Sequence, residues 1–485
     1  MEKRLVISSI VFKTIERFSV KAIGLIVSII LARMLSPGIF GQIAVIMVFV
    51  NLSHVFVLSG LNTALVQRKD VTIIDYSTVF YISFCIALLF LAMIWCFAPI
   101  IARYYSYSHL VLPLRVYSCT LPIGAINSIQ IAKAQKEMRF RQMMIANLVS
   151  AVLSGGIGVV LAYFDMGIWA LIVYYASNTV LVTIGMCFVT KWWPSCMFSL
   201  QRAKVLFSYG WKILVAALLC SLYADIRTLI IGKRFSDADL GYYNKGQQFP
   251  DVIATSMDVA IQSVMLPTLA VSQDHIEHMR QILRRSMSFG LFFIMPVMFF
   301  LSSSADSFIH ILLTDKWEAS IPYMQILCIS NAFVPLLTSN LTAIKAVGRS
   351  DLFMKLEVVR RIIMLVILMV AVFCFHSVYA IAVSWMVNYI IDVVIVMIPV
   401  KGILGYGPVE QFKDLWRTLV ASALMFVGVY LIGELLVISH IWKFSVQLIA
   451  AVALYVTISL LLRNEILTYI FNGVRRFIKT QKEKK

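Results

Sequence analysis

Apolar residues in this chain do not alternate or gather into narrow stripes. They run on for twenty positions or more and then break at a few polar or turn-forming residues. About 20 mainly apolar residues cross a bilayer as a helix, because without water every backbone N–H and C=O must be satisfied inside the segment. Fourteen such stretches are readable, over residues 8–33, 40–65, 76–99, 111–132, 142–163, 167–189, 205–232, 239–268, 283–311, 320–343, 353–374, 377–398, 416–436 and 441–462. The expected fold class is an all-α polytopic membrane protein of about 14 transmembrane helices. The first stretch lies close to Met1, runs long and lacks an Ala-x-Ala exit, so it reads as a retained span and not a cleaved leader.

Residues 31–67 and 231–267 read as two copies of one segment, offset by 200 positions without a gap. LARMLSPGIFGQ lies over IGKRFSDADLGY, pairing Arg33 with Lys233, Ser36 with Ser236 and Gly41 with Gly241, and GLNTALV lies over AIQSVML, pairing Asn62 with Gln262. The match resumes at an offset of 209, where Pro113, Cys119, Ala134 and Lys136 fall on Pro322, Cys328, Ala343 and Lys345. Each copy holds six spans, an even number, so both enter the membrane from the same face as parallel repeats, with the cleft between them as the expected passage. The division expected is an N-lobe at 1–189, a cytoplasmic linker at 190–204, a C-lobe at 205–398, and two additional spans with a basic tail at 399–485. Pro250, Pro267, Pro296, Pro335 and the Gly155-Gly156 pair are expected to interrupt spans.

Composition agrees with lipid as the solvent: 61% hydrophobic, 14% charged, mean hydropathy +0.88. The connections between spans are too short for a soluble catalytic or nucleotide-binding domain, and no G-x-x-x-x-G-K-[ST] loop occurs, so no ATP use is expected. A formal charge of +18 would suit nucleic acid, but its distribution follows topology instead. Arg68 and Lys69, the cluster Lys133, Lys136, Arg139 and Arg141, the group of Arg280 with Arg284 and Arg285 at the very start of the ninth stretch, and the tail Arg475, Arg476, Lys479, Lys482, Lys484 and Lys485 all fall in or beside even-numbered connections or in the terminus. That is the positive-inside pattern with both termini cytoplasmic, and anionic lipid heads, not nucleic acid, are the expected partner. The 8 cysteines are scattered singly and read as small buried hydrophobes, with neither disulfide nor metal expected.

The runs LARMLSPGIFGQIAVIMVF and GLNTALVQRKD, followed by DIRTLIIGKRFSDADLGYYNKGQQFP and IQSVMLPTLA, resemble the polysaccharide-exporting branch of the multidrug/oligosaccharidyl-lipid/polysaccharide flippase superfamily, the Wzx-type flippases. The resemblance covers essentially residues 1–400. It implies two six-helix lobes plus two helices in a MATE-like arrangement. It further implies that undecaprenyl-diphosphate-linked oligosaccharide repeat units are flipped across the bacterial cytoplasmic membrane by alternating access, for O-antigen, capsule or exopolysaccharide synthesis. Implied partners are that lipid-linked oligosaccharide and membrane lipid, with polysaccharide polymerase and chain-length machinery as further candidates. No cofactor is implied.

Ionisable residues at membrane depth cost about 2.5–3.5 kcal/mol each on insertion scales, so they tend to face water, a partner or a substrate. On the first span Lys13, Arg17, Lys21, Gly24 and Ser28 fall on one helical stripe, with Glu16 beside it. Arg17 and Lys21 suit a diphosphate that must leave water, whereas Lys13 suits snorkelling. On the seventh span Lys212, Tyr223 and Arg227 share a face while Asp225 points nearly opposite and is expected to pair with a neighbouring helix. The eighth span carries a polar stripe of Asn244, Gln248, Asp251, Thr255 and Gln262, matched on the second span by Asn51 and Asn62. Amides and hydroxyls both donate and accept, which suits sugar hydroxyls, although interhelical hydrogen bonds use the same residue types. Asp251 and Asp258, with Lys245 above them, are candidates for ion coupling. His54 and Asp392 are isolated, and Arg360 and Arg361 lie beside Glu357, either as an ion pair or at the cytoplasmic mouth.

The competing reading is cation-coupled efflux of small cationic drugs on the same fold, which favours acidic sites over the cationic strip of the first span. An integral-membrane polymerase or ligase would need catalytic residues on a sizeable outer loop, and none is visible, so the expectation is a transporter with no catalytic residues.

Overall fold

The computed structural model of the protein describes residues 2–58, 60–68, 71–273 and 275–468. Lys69 and the basic tail residues beyond 468, on which part of the charge argument rests, lie outside them. Among the described residues there is no strand, and 12 helical spans, the Asp315–Ala346 run counted as one across its break, are long and apolar enough to cross a membrane. The two expected spans outside that count are the first, with Glu16, Arg17 and Lys21 in its middle, and the fourth, which is broken. By packing, the chain forms two units, Met1–Asn244 and Lys245–Lys485.

The first unit contains α1 (Glu2–Met34), α2 (Pro37–Leu58), α3 (Leu61–Gln67), α4 (Ile73–Tyr104), α5 (Val111–Ser118), α6 (Thr120–Lys136), α7 (Phe140–Tyr163), α8 (Ile168–Thr190), α9 (Leu200–Arg234) and the first turns of α10 (Asp237–Val271). α1 packs on α7 and α7 on α8, while α2 packs on α4, α6 and α9. The offset of 200 is kept to the residue: α1 ends at Met34 and α2 starts at Pro37, α9 ends at Arg234 and α10 starts at Asp237. The two starts use different chemistry. Pro37 occupies the first helical position, where its missing N–H costs nothing. Ser236 instead exchanges hydrogen bonds with Asp239, the Asp239 N–H donating to Ser236 Oγ at 3.1 Å and the Ser236 N–H to Asp239 Oδ2 at 3.2 Å.

Four expected spans are broken, and at the second the cause is local. The second span ends at Leu58 and resumes as α3, because Gly60 takes φ +85°, where a helix cannot continue. Its repeat partner Ala260 has no such freedom, and α10 runs through it. The fourth span breaks at Cys119 between α5 and α6. Pro250, Pro267 and Pro296, expected as points where spans can kink, sit inside continuous helices, while Pro335 starts one. Neighbouring groups in a bundle re-satisfy the carbonyls that a proline leaves unbonded.

The linker is shorter than expected and firmly held. α8 ends at Thr190 and α9 begins at Leu200, so only 191–199 is non-helical. Trp192 is buried among Leu61, Leu65, Tyr76, Val79, Ile129 and Leu206, and its carbonyl accepts from Gln130 Nε2 at 3.0 Å. Asp75 is fully buried and bonded by Arg202 at 2.7 Å and Arg68 at 3.6 Å, which ties the start of α9 to α4.

The second unit holds the rest of α10 with α11 (Ile276–Ser303), α12 (Ala305–Leu312), α13 (Ile321–Asn331), α14 (Val334–Ala346), α15 (Ser350–Val370), α16 (Val378–Leu404), α17 (Pro408–Leu435) and α18 (His440–Leu461). Here the ninth span breaks at Ser304 and the tenth between Asn331 and Val334. α11 packs against α13, α14 and α17, α16 against α13, α14 and α15, and α18 against α12 and α17. The cysteines correct their expected burial: only Cys328 is buried, and Cys85, Cys96, Cys119, Cys196, Cys220 and Cys374 are exposed. A small apolar side chain is as well solvated by lipid as by a core, so burial is not required of it.

Candidate functional site

The stripe on α1 is oriented by its neighbour. Glu16 accepts a hydrogen bond from Asn147 of α7, and Val27, on the same face, fills the space beside Gly155 of α7, so this face of α1 is spent on packing. Arg17 is exposed and Lys21 half-buried on another side, and a Cβ added at Gly24 would meet nothing within 4 Å. The stripe therefore borders open space. On α9, Lys212 is exposed and Arg227 buried, so their shared helical face does not give them a shared environment. Asp225 is half-buried and makes no ion pair among the described residues, contrary to the expectation of a structural partner.

On α2, Asn51 is exposed, while Asn62 of α3 donates back to the Leu58 carbonyl at 3.1 Å. The break at Gly60 thus takes Asn62 off the helix face it was expected to share with Asn51. His54 stands against Gly124, where a Cβ would press on its imidazole, and so is a packed residue.

Along α10 the polar stripe is largely satisfied within the second unit. Lys245, buried, donates to Gln248 Oε1 at 3.0 Å and lies 5.8 Å from the ring centre of the fully buried Trp317. Asp251 accepts from Gln247 at 2.8 Å and from Asn331 of α13 at 3.0 Å, and its carbonyl takes the Thr255 hydroxyl at 2.7 Å. Asp258 accepts from Gln262 at 3.0 Å and from Thr338 of α14. Gln262 thus spends an amide hydrogen on Asp258. Asn244 is half-buried at the first unit's end of the helix. Each carboxylate is solvated by amide or hydroxyl donors, the arrangement that keeps a charge tolerable away from water.

Sequence reasoning missed the partner that joins Arg360 to Asp392. Arg360 of α15 bonds Glu357 at 2.6 Å and Asp392 of α16 at 3.0 Å, and Arg361 bonds Glu357 at 2.9 Å. The i,i+3 and i,i+4 spacings from Glu357 were legible, whereas the contact between helices was not.

Long apolar helices carrying buried polar networks define a polytopic α-helical membrane protein. Its fold is similar to that of the lipid II flippase MurJ in an inward closed conformation, with a TM-score of 0.78 at 15% identity, covering 94% of this chain and all of that one. The chain belongs to the polysaccharide biosynthesis protein family, whose model matches residues 30–322. Among curated relatives, the teichuronic acid biosynthesis protein TuaB of Bacillus subtilis is 26% identical over 60% of this chain, and the succinoglycan biosynthesis transport protein ExoT of Rhizobium meliloti is 24% identical over 66%. The matches span 61% and 65% of those two relatives' own lengths.

Proposed function

We propose that this protein flips a polyprenyl-diphosphate-linked oligosaccharide across the bacterial cytoplasmic membrane, supplying a cell-surface polysaccharide, by alternating access and with both termini cytoplasmic. The observation that carries the reading is the α1 stripe, cationic at Arg17 and Lys21 and bordering open space at Gly24, in a chain of the polysaccharide biosynthesis family. A diphosphate sheds hydration on entering the membrane, and fixed cations replace the lost solvation. Arg17 and Lys21, with Lys212 and Arg227 of α9, are the proposed diphosphate contacts. Asn51, Asn244, Gln248 and Thr255 are proposed to meet sugar hydroxyls. Asn62 and Gln262 support that surface through their internal hydrogen bonds. Asp251 and Asp258, already ringed by donors, are the proposed place for any coupling ion. Membrane lipid and downstream polymerase and chain-length proteins complete the proposed partners.

The test is complementation of a strain lacking the gene. With Arg17→Ala or Arg227→Ala at normal abundance, radiolabelled lipid-linked repeat units should accumulate on the inner leaflet and surface glycan should fall. Unchanged export by both variants would sink the diphosphate assignment. Normal glycan in the deletion strain itself would sink the function.

A further inference from the structure

Away from the proposed transport residues, the second unit gathers Asp306 and His310 of α12 with His440, the first residue of α18. One ligand-capable atom from each lies within 4.8 Å of the others. His310 Nδ1 is 3.2 Å from Asp306 Oδ1, and His440 Nδ1 is 4.0 Å from Asp306 Oδ2. Ligands around a tetrahedral zinc at bond lengths of about 2.0–2.2 Å stand roughly 3.4 Å apart. Two of the three separations bracket that value, but the imidazoles are stacked nearly parallel, 6° apart with centres at 4.3 Å, so the partly exposed His440 must turn about its side-chain bonds before its in-plane lone pair meets the ion.

Two further features make the cluster more than a chance meeting. α12 is held on α18 by a buried hydrogen bond from Ser307 to Gln447 at 3.2 Å and by Phe308 against Phe444, so the ligands do not have to be gathered from loose segments. Finally, His310 Nε2 faces Asp315 at 3.7 Å. His310 now directs Nδ1 at the Asp306 carbonyl, 2.8 Å away. Moving that proton to Nε2, opposite the Asp315 carboxylate, frees Nδ1 in the carboxylate–histidine–metal pattern common at metal sites.

We infer that Asp306, His310 and His440 form a binding site for a divalent transition-metal ion of the zinc type, with Asp315 orienting His310 and at least one position left to water. Two imidazoles and one carboxylate suit borderline ions and not Mg²⁺ or Ca²⁺, which take oxygen ligands. In the topology proposed above, the ends of the ninth and thirteenth spans face outward, so the site opens to the extracytoplasmic side and fastens α12 to the start of α18. Its resident rival is Lys443, whose ammonium lies 2.9 Å from Asp306 Oδ2. The ion must displace it.

The competition supplies the test. Full-length protein without a polyhistidine tag, purified in detergent and stripped with chelator, is titrated with ZnCl₂ by calorimetry and by thermal unfolding. One equivalent is expected to bind and raise the melting temperature, with no rise from MgCl₂. His440→Ala, at a partly exposed position, should weaken binding at least about tenfold while leaving the zinc-free melting temperature near wild type. Lys443→Ala should tighten it several-fold. Absence of zinc binding in the wild type, wild-type affinity in His440→Ala, or unchanged affinity in Lys443→Ala would each overturn the assignment, the last two because the ion would then sit on other groups.

Discussion

Gly41 and Gly241 hold the first turns of α2 and α10 together reciprocally: a Cβ on Gly41 would strike the Asp237 carbonyl, and a Cβ on Gly241 would strike that of Pro37. The residues paired by the 200-residue repeat thus meet each other's helix starts, and Gln42 closes the crossing by donating to Asp237 Oδ2 at 2.7 Å. Backbone this close leaves no flexible side chain to yield.

Gly41→Ala and Gly241→Ala should therefore each destabilise the protein by about 1–3 kcal/mol, the usual cost of overpacking. Once one methyl has spread the helices the second costs less, so the double variant should lose less than the sum of the singles. Gly24→Ala, with open space at its Cβ, is the control and should be neutral or better. Thermal unfolding in detergent measures all four, and strict additivity would show that the two glycines do not share one contact.

Gly60 predicts a different kind of loss. Its φ of +85° disfavours any side chain, and a Cβ would also run into the Gly210 carbonyl of α9. Gly348 has a similar φ of +78° but empty space around it. Alanine at Gly348 should cost only the left-handed strain, roughly 1–2 kcal/mol. Alanine at Gly60 should cost clearly more, and equal losses at the two sites would remove the role given to the Gly210 contact.

What the sequence made legible divides along these lines. Span positions were readable because lipid imposes one length and one backbone solution, and the repeat was readable because Pro37 and Asp237 keep their spacing to the residue. The break at Gly60 was not, since a glycine inside an apolar run looks the same whether its φ is helical or positive. On α10 the stripe was visible as a pattern, but whether Gln262 points at cargo or at Asp258 depends on side-chain choice, which spacing does not encode. His310 and His440 lie on segments far apart in the chain, outside any ligand-spacing motif, and only the packing of α12 on α18 brings them together.

The Arg360–Asp392 contact was hidden for the same reason, and it carries its own consequence. Both groups are nearly fully buried, at 5% and 2% exposure. Arg360→Met would leave Asp392 with the Asn388 amide at 3.4 Å in place of its bonded guanidinium, a poorly compensated buried charge costing about 3–5 kcal/mol. Adding Asp392→Leu should recover most of that loss, since Glu357 keeps Arg361 at 2.9 Å. A double-mutant cycle on unfolding free energy reads the coupling, and a value near zero would mean the pair contributes nothing specific.

The last prediction concerns alkaline stability. Tyr107, in the connection after α4, has its phenol pushed up to about 12 by burial first and then by the nearby carboxylates of Asp237 and Asp239. In the unfolded chain it titrates near 10. The folded state therefore holds the proton more tightly, and the stability this provides is complete below pH 10 and is lost as pH rises from 10 through 12. A displacement of this size on a fully buried group would correspond to roughly 2.7 kcal/mol. Tyr107 is partly exposed, so solvent screening leaves about 1 kcal/mol. Tyr107→Phe has no proton to lose, and its melting temperature should decline less steeply than that of wild type between pH 10 and 12. Parallel declines would place the alkaline sensitivity on other groups and free Tyr107 of the role its two acidic neighbours assign it.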